Sequence, residues 1–227
     1  MVIGNGLLAQ RFGSYQDDER YLVFASGVSN SKTKNPDAYD REIKLLEDSI
    51  RSHPGKTFIY FSTCSIYDPD EQRSAYVLHK LAIEDNIRSS AGSYFIFRVS
   101  NVVGRSSNPN TLLNYFYYHI RNGINFDCWI NACRNIIDID DVFFIVDQLL
   151  KKNKPFTEPV NIASPFNYPV KEIISALESH LGTKSNYVEV NKGSCFEIGL
   201  PVIRSILDQS PGKFGNDYLS MLLKKYF

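Results

Sequence analysis

The sequence predicts an α/β fold in which helices cover a parallel sheet. Short apolar runs rich in aromatic and β-branched residues recur along the chain, and segments with helical periodicity separate them. Such alternation is typical of parallel sheets. A glycine turn follows the first apolar run, and small polar residues follow two later ones. Because ligands bind beyond the carboxyl ends of the strands in open parallel sheets, these turns mark the predicted functional edge.

Composition favours a globular chain of one domain with a small appended lobe. The 227 residues are 43% hydrophobic and include 15 Phe and 14 Tyr, which is enough for a sizeable core. The formal net charge is zero, so no overall field recruits nucleic acid or an anionic membrane. The sequence shows no charged leader and no apolar run of membrane-spanning length, so we expect a cytoplasmic protein.

Cysteine and histidine positions do not indicate a metal site. The four cysteines are Cys64, Cys128, Cys133 and Cys195. They show neither paired metal-ligand spacing nor a disulfide pattern, so we expect reduced, partly buried thiols. The four histidines are scattered, and helical geometry predicts that His79 points away from the face of its helix that carries Tyr76 and Lys80.

The chain begins with a strand, a glycine turn and a helix. Residues 4–9 fit the pattern G-x-G-x-x-A through Gly4, Gly6 and Ala9. Glycines let the backbone approach a pyrophosphate, and the amides that open the following helix, at Leu7 and Leu8, donate to it. These residues therefore predict a dinucleotide-binding turn of the Rossmann type.

The next segment is shorter than a complete dinucleotide-binding fold requires. Such a fold continues with a second strand and an acidic residue for the adenosine ribose about 20 residues on. Here only residues 13–20 separate the first helix from the apolar run at residues 21–25. We therefore predict that the usual second and third strands are missing, which leaves strand one at the sheet edge and the adenosine pocket open. Asp17 and Asp18 could still reach a ribose, but we interpret them as solvated loop acids.

Residues 58–86 form the stretch around which the chain is organised. An apolar run at residues 58–61 predicts a buried strand, which ends at the polar cluster of residues 62–65. The helical segment that follows carries Tyr76 and Lys80, whose spacing places them on one face. A lysine ammonium favours the phenolate form of a nearby tyrosine, which can then exchange a proton with a substrate oxygen. By itself the spacing favours a packed aromatic beside a solvated lysine. Its position directly after a strand that ends in hydroxyls favours a catalytic role instead.

The remaining elements are predicted from the same patterns. We predict strands at residues 94–98, 126–130, 134–139, 160–162 and 187–190, and helices at 37–50, 112–121 and 170–181.

Three motifs in order resemble the extended short-chain dehydrogenase/reductases, the NAD-dependent epimerase/dehydratase family that acts on nucleotide sugars. The family's strand-end motif Ser-Ser/Thr-x-x-Val-Tyr-Gly stands here as residues 62–68, STCSIYD. Tyr76 and Lys80 match its Tyr-x-x-x-Lys pair, and residues 98–104, RVSNVVG, match its Arg-x-x-Asn-Val-Tyr-Gly motif. The resemblance runs over nearly the whole chain and implies a shortened member of the family.

The resemblance implies a set of site residues. Thr63 would polarise the reacting oxygen, Tyr76 would transfer the proton, and Lys80 would favour the phenolate and hold the nicotinamide ribose. The implied substrate contacts are Ser65, Asn101 and Arg134. The implied contacts to NAD or NADP are Gly4, Gly6, Leu7, Leu8, Ala25, Ser26, Gly27, Ser62 and Lys80.

The resemblance also implies an activity and a division of the chain. Residues 1–105 and 136–163 would form the Rossmann-like core, and residues 106–135 and 164–227 the small substrate lobe. The implied activity is 4-keto reduction or epimerisation of a nucleotide sugar in carbohydrate biosynthesis, with a homodimer as one expectation. A 4,6-dehydratase is less favoured, because that subgroup has Asp-Glu where this chain has Cys64 and Ser65.

Two alternatives stay open at this point. The missing strands are also compatible with a non-catalytic module that senses a dinucleotide or a nucleotide sugar. A third hypothesis is a half-enzyme whose cofactor pocket is completed by a partner chain.

Overall fold

The computed structural model describes residues 1–28, 33, 35–152, 156–209 and 213–227. The strands are β1 (Val2–Ile3), β2 (Tyr21–Phe24), β3 (Thr57–Thr63), β4 (Tyr94–Val99), β5 (Asn101–Val103), β6 (Phe126–Trp129), β7 (Cys133–Asp138), β8 (Val160–Ile162), β9 (Asn167–Pro169) and β10 (Tyr187–Val190). The α-helices are α1 (Leu7–Arg11), α2 (Pro36–Ser52), α3 (Ala75–Ser90), α4 (Leu112–Arg121), α5 (Ile139–Lys151), α6 (Val170–Leu181), α7 (Arg204–Asp208) and α8 (Tyr218–Tyr226). Short 3-10 helices occupy Gly13–Tyr15 and Cys64–Tyr67.

The central sheet confirms the predicted α/β fold. Its five strands lie in the order β1-β2-β3-β4-β8, and every neighbouring pair is parallel. Helices cover both faces, which is why the strands are continuous apolar runs rather than alternating ones. One face packs on α5 through Val23, Ile59, Phe97 and Val146. The other packs on α2 and α3 through residues that include Leu46 and Ile83.

The sheet ends at β1, as predicted from the short segment after α1. Between α1 and β2 the chain forms only the 3-10 helix Gly13–Tyr15 and a turn. The Gln16 side chain accepts a hydrogen bond of 3.1 Å from the Val2 amide. The Met1 ammonium donates to the carbonyls of Tyr15 and Tyr21 at 2.8 and 3.0 Å. This short segment therefore holds the edge strand where a complete fold would place further strands.

A third hydrophobic cluster joins α4, α6 and α8 to two small sheets. In one, β7 pairs parallel with β5 and antiparallel with β9; in the other, β6 and β10 run parallel. None of the helices in the described ranges combines the length and the hydropathy of a membrane span.

The prediction of four reduced cysteines is wrong for one pair. Cys133, at the start of β7, forms a disulfide with Cys195, 62 residues further along the chain. The two meet because the segment that follows β10 runs beside the start of β7, where the Cys133 amide donates to the Ser194 carbonyl at 3.3 Å. Cys64 and Cys128 are free and buried. The spacing of the cysteines along the chain does not reveal this contact, because it forms where the segment after β10 lies beside the start of β7.

Candidate active site

Thr63 lies at the carboxyl end of β3, in the middle of the central sheet. Its Oγ1 accepts a 3.0 Å hydrogen bond from the Ser65 amide and so caps the 3-10 helix Cys64–Tyr67. The Thr63 hydroxyl donates to the Ser65 hydroxyl, also at 3.0 Å. The two hydroxyls therefore form one pair at the edge where ligands of parallel sheets bind.

Tyr76 and Lys80 lie together on the first turns of α3. Ser74 caps this helix by accepting from the Val77 amide at 3.2 Å, which fixes its start at Ala75. The Lys80 ammonium is 5.8 Å from the centre of the half-buried Tyr76 ring. The structure thus brings the two residues together as their spacing predicts.

The Lys80 ammonium is buried, and only 3% of this residue is exposed. It donates to the carboxylate Oε1 of Glu42 at 3.0 Å and to the hydroxyl of Tyr60 at 2.9 Å. The interpretation of Lys80 as a solvated lysine is therefore wrong. Its cation is fixed beside Tyr76 by partners from α2 and β3.

Glu42 is the centre of this buried network and has no exposed surface. Its Oε1 accepts from Lys80 and, at 2.7 Å, from Tyr60, while its Oε2 accepts from the Val28 amide at 2.7 Å and lies 3.0 Å from His79 Nε2. Burial alone raises the pKa of Glu42, but the hydrogen bond from His79, the charge of Lys80 and the two further donors outweigh it and lower the pKa to about 2. Glu42 is therefore ionised at neutral pH.

His79 corrects a prediction made from helical geometry. It was expected to point away from the Lys80 face, yet both side chains reach the same carboxylate. Glu42, on α2, contacts both of these adjacent residues of α3 through its two carboxylate oxygens. The sequence does contain a signal for this: Glu42 falls on the buried stripe of α2 with Leu46 and Ser49, where an acid needs a partner.

The glycine turn has one structural glycine and one with open space around it. Gly4 has φ of +125°, and a Cβ there would lie 2.4 Å from the Ala25 carbonyl oxygen. At Gly6, the residue before α1, no atom lies within 4 Å of a Cβ position. Gly6 thus leaves the free approach that a pyrophosphate needs, so the turn fits a dinucleotide.

The side chains that follow Gly6 point in different directions. Ala9 is buried. Leu7 packs on residues 98–104, the second strand-end motif, where a Cβ on Gly104 would lie 2.8 Å from Leu7 Cδ1. Leu8 packs on the cluster between the sheet and α5. Helix α1 has only five residues, so the amides that it presents have little helix dipole behind them.

The turn after β2 lies directly on the Lys80–Glu42 pair. A Cβ on Gly27 would lie 2.6 Å from Lys80 Nζ and 2.9 Å from Glu42 Oε1. Ala25, Ser26 and Gly27 are half-buried; Ser29 and Asn30, which belong to the same predicted turn, lie outside the described residues. The backbone of this candidate cofactor segment therefore covers the candidate catalytic lysine.

The hydroxyl of Ser62 is directed into the protein interior. It donates at 2.6 Å to the buried carboxylate of Glu84, which also accepts two hydrogen bonds from Arg98. Arg98 in turn donates to Tyr67, whose hydroxyl contacts Asn161 at 3.1 Å. The structure thus gives Ser62, a predicted cofactor contact, a protein partner.

The three predicted substrate residues are not gathered in one place by side-chain contacts. Ser65 pairs with Thr63, whereas the exposed Asn101 donates to the Asn135 carbonyl at 2.8 Å. The Arg134 guanidinium lies 3.5 Å from the carboxylate of Asp68. Asn101 lines a shallow depression with residues from the glycine turn and the loop before α4. The depression is also lined by Leu7, Val102, Val103, Gly104, Ser106, Thr111, Leu112, Leu113 and Asn114.

Of the two loop acids, Asp17 is exposed, as its interpretation as a solvated acid predicts. Asp18 is half-buried instead: its carboxylate accepts two hydrogen bonds from the Arg20 guanidinium and one from the Arg20 amide, and these lower its pKa. Among the residues that the structure describes, no group of three His, Cys, Asp or Glu side chains is arranged to hold a metal ion.

The sequence model of the NAD dependent epimerase/dehydratase family matches residues 18–163. The match covers more than half of the chain, so the chain belongs to this family. Thr63, Tyr76 and Lys80 fall within the matched range and the glycine turn precedes it. A comparison with curated protein sequences finds no match.

Solved structures of nucleotide-sugar enzymes share the fold. The dTDP-glucose 4,6-dehydratase of Bacillus anthracis in complex with NAD has a TM-score of 0.73 at 16% identity, over 99% of this chain and 78% of that one. The UDP-glucose 4-epimerase of Thermus thermophilus with NAD has a TM-score of 0.69 at 14% identity, over 97% and 83%. The UDP-glucuronic acid 4-epimerase of Bacillus cereus, with UDP-glucuronic acid and NAD, has a TM-score of 0.69 at 17% identity, over 95% and 76%.

Proposed function

We propose that this protein is an NAD(P)-dependent enzyme that epimerises a nucleotide sugar or reduces its 4-keto group. The observation that carries the proposal is the Tyr76–Lys80 pair, with a buried ammonium 5.8 Å from the phenol ring. It lies on the helix that follows β3, the strand that ends in the hydroxyl pair of Thr63 and Ser65. Membership of the epimerase/dehydratase family supports the same class of reaction.

The protein residues would bind the cofactor and move one proton. The turn from Gly4 to Leu8 and the segment from Ala25 to Gly27 would hold NAD(P), which supplies the hydride acceptor and donor. Tyr76 would exchange a proton with the substrate oxygen. Thr63 would donate a hydrogen bond to that oxygen as charge develops on it, and the Lys80 cation would favour the phenolate of Tyr76. Relatives crystallised with NAD and with UDP-glucuronic acid support these ligand classes.

Dehydration is not supported at the position after Thr63. Cys64 is 2% exposed and its thiol donates to the Arg98 carbonyl at 3.1 Å. Burial raises the pKa of this thiol to about 12, so it stays protonated at neutral pH. Cys64 therefore cannot take the role of the carboxylic acid that expels water from the sugar in a dehydratase.

The substrate contacts are proposals of the same kind. Ser65, Asn101 and Arg134 remain our candidates for the nucleotide sugar, and Arg134 would then exchange its contact with Asp68 for a phosphate. The division into a core and a substrate lobe, and a homodimeric state, likewise remain predictions.

The test is turnover of 4-keto nucleotide sugars and nucleotide hexoses, followed by NAD(P)H absorbance and product chromatography. Tyr76→Phe should lower turnover by roughly 10²–10⁴-fold while substrate affinity stays nearly unchanged, because the hydroxyl acts in the transition state. Tyr118→Phe, at an exposed tyrosine of α4, is the matched control and should keep full turnover. Full activity in Tyr76→Phe would end the catalytic assignment.

A non-catalytic sensor is the second candidate, and the missing strands are the observation that favours it. The same panel separates the two. Binding of NAD(P) or a nucleotide sugar by calorimetry, with no turnover of any substrate, would support the sensor.

A further inference from the structure

We propose that Glu42 is a positioning residue that keeps Lys80 charged and fixed beside Tyr76. The inference rests on the proposed function, since it assigns a partner to the lysine of that site. It is carried by the burial and the geometry of a four-residue network on α2, β3 and α3.

Lys80 needs a counter-ion to remain an ammonium. Only 3% of the residue is exposed, and the Gly27 backbone lies over it. A lysine buried without a partner loses its proton rather than carry an unsolvated charge. Glu42, 3.0 Å away and fully buried, supplies the opposite charge.

Glu42 is the carboxylate that pairs with Lys80, because the other groups around the ammonium bring no second negative charge to it. The other group on its ammonium is Tyr60, which is fully buried and donates a hydrogen bond to Glu42 through its own hydroxyl. His79 contacts the second oxygen of Glu42, and the Val28 amide donates to it as well. Glu84, further along α3, is already taken by Ser62, Arg98 and Arg88.

The Lys80 ammonium lies close to Tyr76 as well as to this network. Its ring centre lies 5.8 Å from Lys80 Nζ. Loss of the Lys80 charge would remove the cation that favours the phenolate. Glu42 would therefore act on the phenol through the lysine, although it makes no contact with a substrate.

The test reads the protonation of Tyr76 directly, without cofactor or substrate. The chain is labelled with ¹³Cζ-tyrosine and titrated by NMR from neutral to strongly alkaline pH, and Tyr76→Phe identifies the signal. In Glu42→Gln the midpoint of the Tyr76 titration should rise by about one pH unit relative to wild type. Lys80→Met should raise it similarly, and Glu42→Asp should restore most of the wild-type value.

Glu47→Gln is the matched control, because it removes an exposed carboxylate from the same helix. It should leave the midpoint unchanged. An unchanged or lowered midpoint in Glu42→Gln would overturn the proposal, as would an equal rise in Glu47→Gln. If Glu42→Gln does not fold, Lys80→Met and the double variant Glu42→Gln/Lys80→Met decide. Because Glu42 acts only through Lys80 in this proposal, both should show the same raised midpoint. A wild-type midpoint in either, or a clear difference between the two, would overturn the proposal.

The outcome is separate from that of the proposed function. Inactivity toward every nucleotide sugar would contradict the enzyme while leaving the titration intact. If the wild type is active and Glu42→Gln has the wild-type midpoint for Tyr76, only the role of Glu42 is contradicted.

Discussion

The hydroxyl of Ser62, at the end of β3, donates a 2.6 Å hydrogen bond to the buried carboxylate of Glu84 on α3. The same carboxylate accepts from Arg98 at 2.9 and 2.6 Å. Arg98 belongs to the family's second strand-end motif, and Ser62 to the first. Glu84 therefore ties the two motifs together beneath the sheet edge, through contacts that neither motif reveals.

Glu84→Gln should destabilise the protein strongly. The change leaves Arg98, whose side chain is 15% exposed, without its counter-charge, and breaking a buried ion pair from one side costs about 3 kcal/mol or more. The free energy of unfolding from urea titration measures this. Asp85→Asn removes an exposed partner of Arg88 on the same helix and should cost less than about 1 kcal/mol. Equal losses in the two variants would contradict the buried role of Glu84.

The ionisation of Glu42 should make the free energy of unfolding depend on pH in the acidic range. Its pKa is about 2 in the folded protein against an ordinary value of 4.5. A lowered carboxylate pKa stabilises the fold above pH 4.5, and that stability is lost as the pH falls toward 2. The shift corresponds to about 3 kcal/mol. Unfolding free energies across this window should fall steeply in wild type and less steeply in Glu42→Gln. The same slope in both proteins would assign the acid sensitivity to other carboxylates.

The two glycines of the first turn should fail in different ways. Gly4→Ala places a methyl group 2.4 Å from the Ala25 carbonyl oxygen at a φ of +125°, so we expect a loss of about 2 kcal/mol or more in stability. Gly6→Ala meets no atom within 4 Å, so stability should change by less than about 0.5 kcal/mol.

Calorimetry with NAD and NADP completes the comparison. Gly6→Ala should weaken cofactor binding by about tenfold or more, because its methyl group occupies the approach of the pyrophosphate. Wild-type affinity in Gly6→Ala, with intact stability, would remove the turn from the cofactor site.

The Cys133–Cys195 disulfide should stabilise the packing of the segment after β10 on β7 and be open to reductants, since Cys195 is exposed. A loop of 62 residues corresponds to about 4 kcal/mol in the chain-entropy account. Dithiothreitol should therefore lower the urea midpoint of wild type to near that of Cys195→Ser. The same reductant should leave Cys195→Ser unchanged, because Cys64 and Cys128 are free thiols. If dithiothreitol leaves the urea midpoint of the wild type unchanged, the disulfide is contradicted.

The five strands of the central sheet, their parallel order and the position of β1 at the edge all follow from the sequence. Apolar runs of strand length identify buried strands, and the eight residues 13–20 leave no room for two further strands and a helix. The spacing of Tyr76 and Lys80 likewise places them on one helix face. These features depend on local periodicity and chain length, which the sequence states directly.

The partners of the polar groups were decided only by the tertiary structure. Glu42 and Lys80 are 38 residues apart, Ser62 and Glu84 are 22 apart, and Cys133 and Cys195 are 62 apart. Each pair forms where separate elements pack, so its geometry depends on how helices settle on the sheet rather than on spacing along the chain. The sequence by itself therefore determined the strands and the Tyr76–Lys80 spacing. The packing of the helices on the sheet decided which carboxylate pairs with Lys80. A buried charge must be paired, and only the tertiary structure determines which opposite charge lies near it.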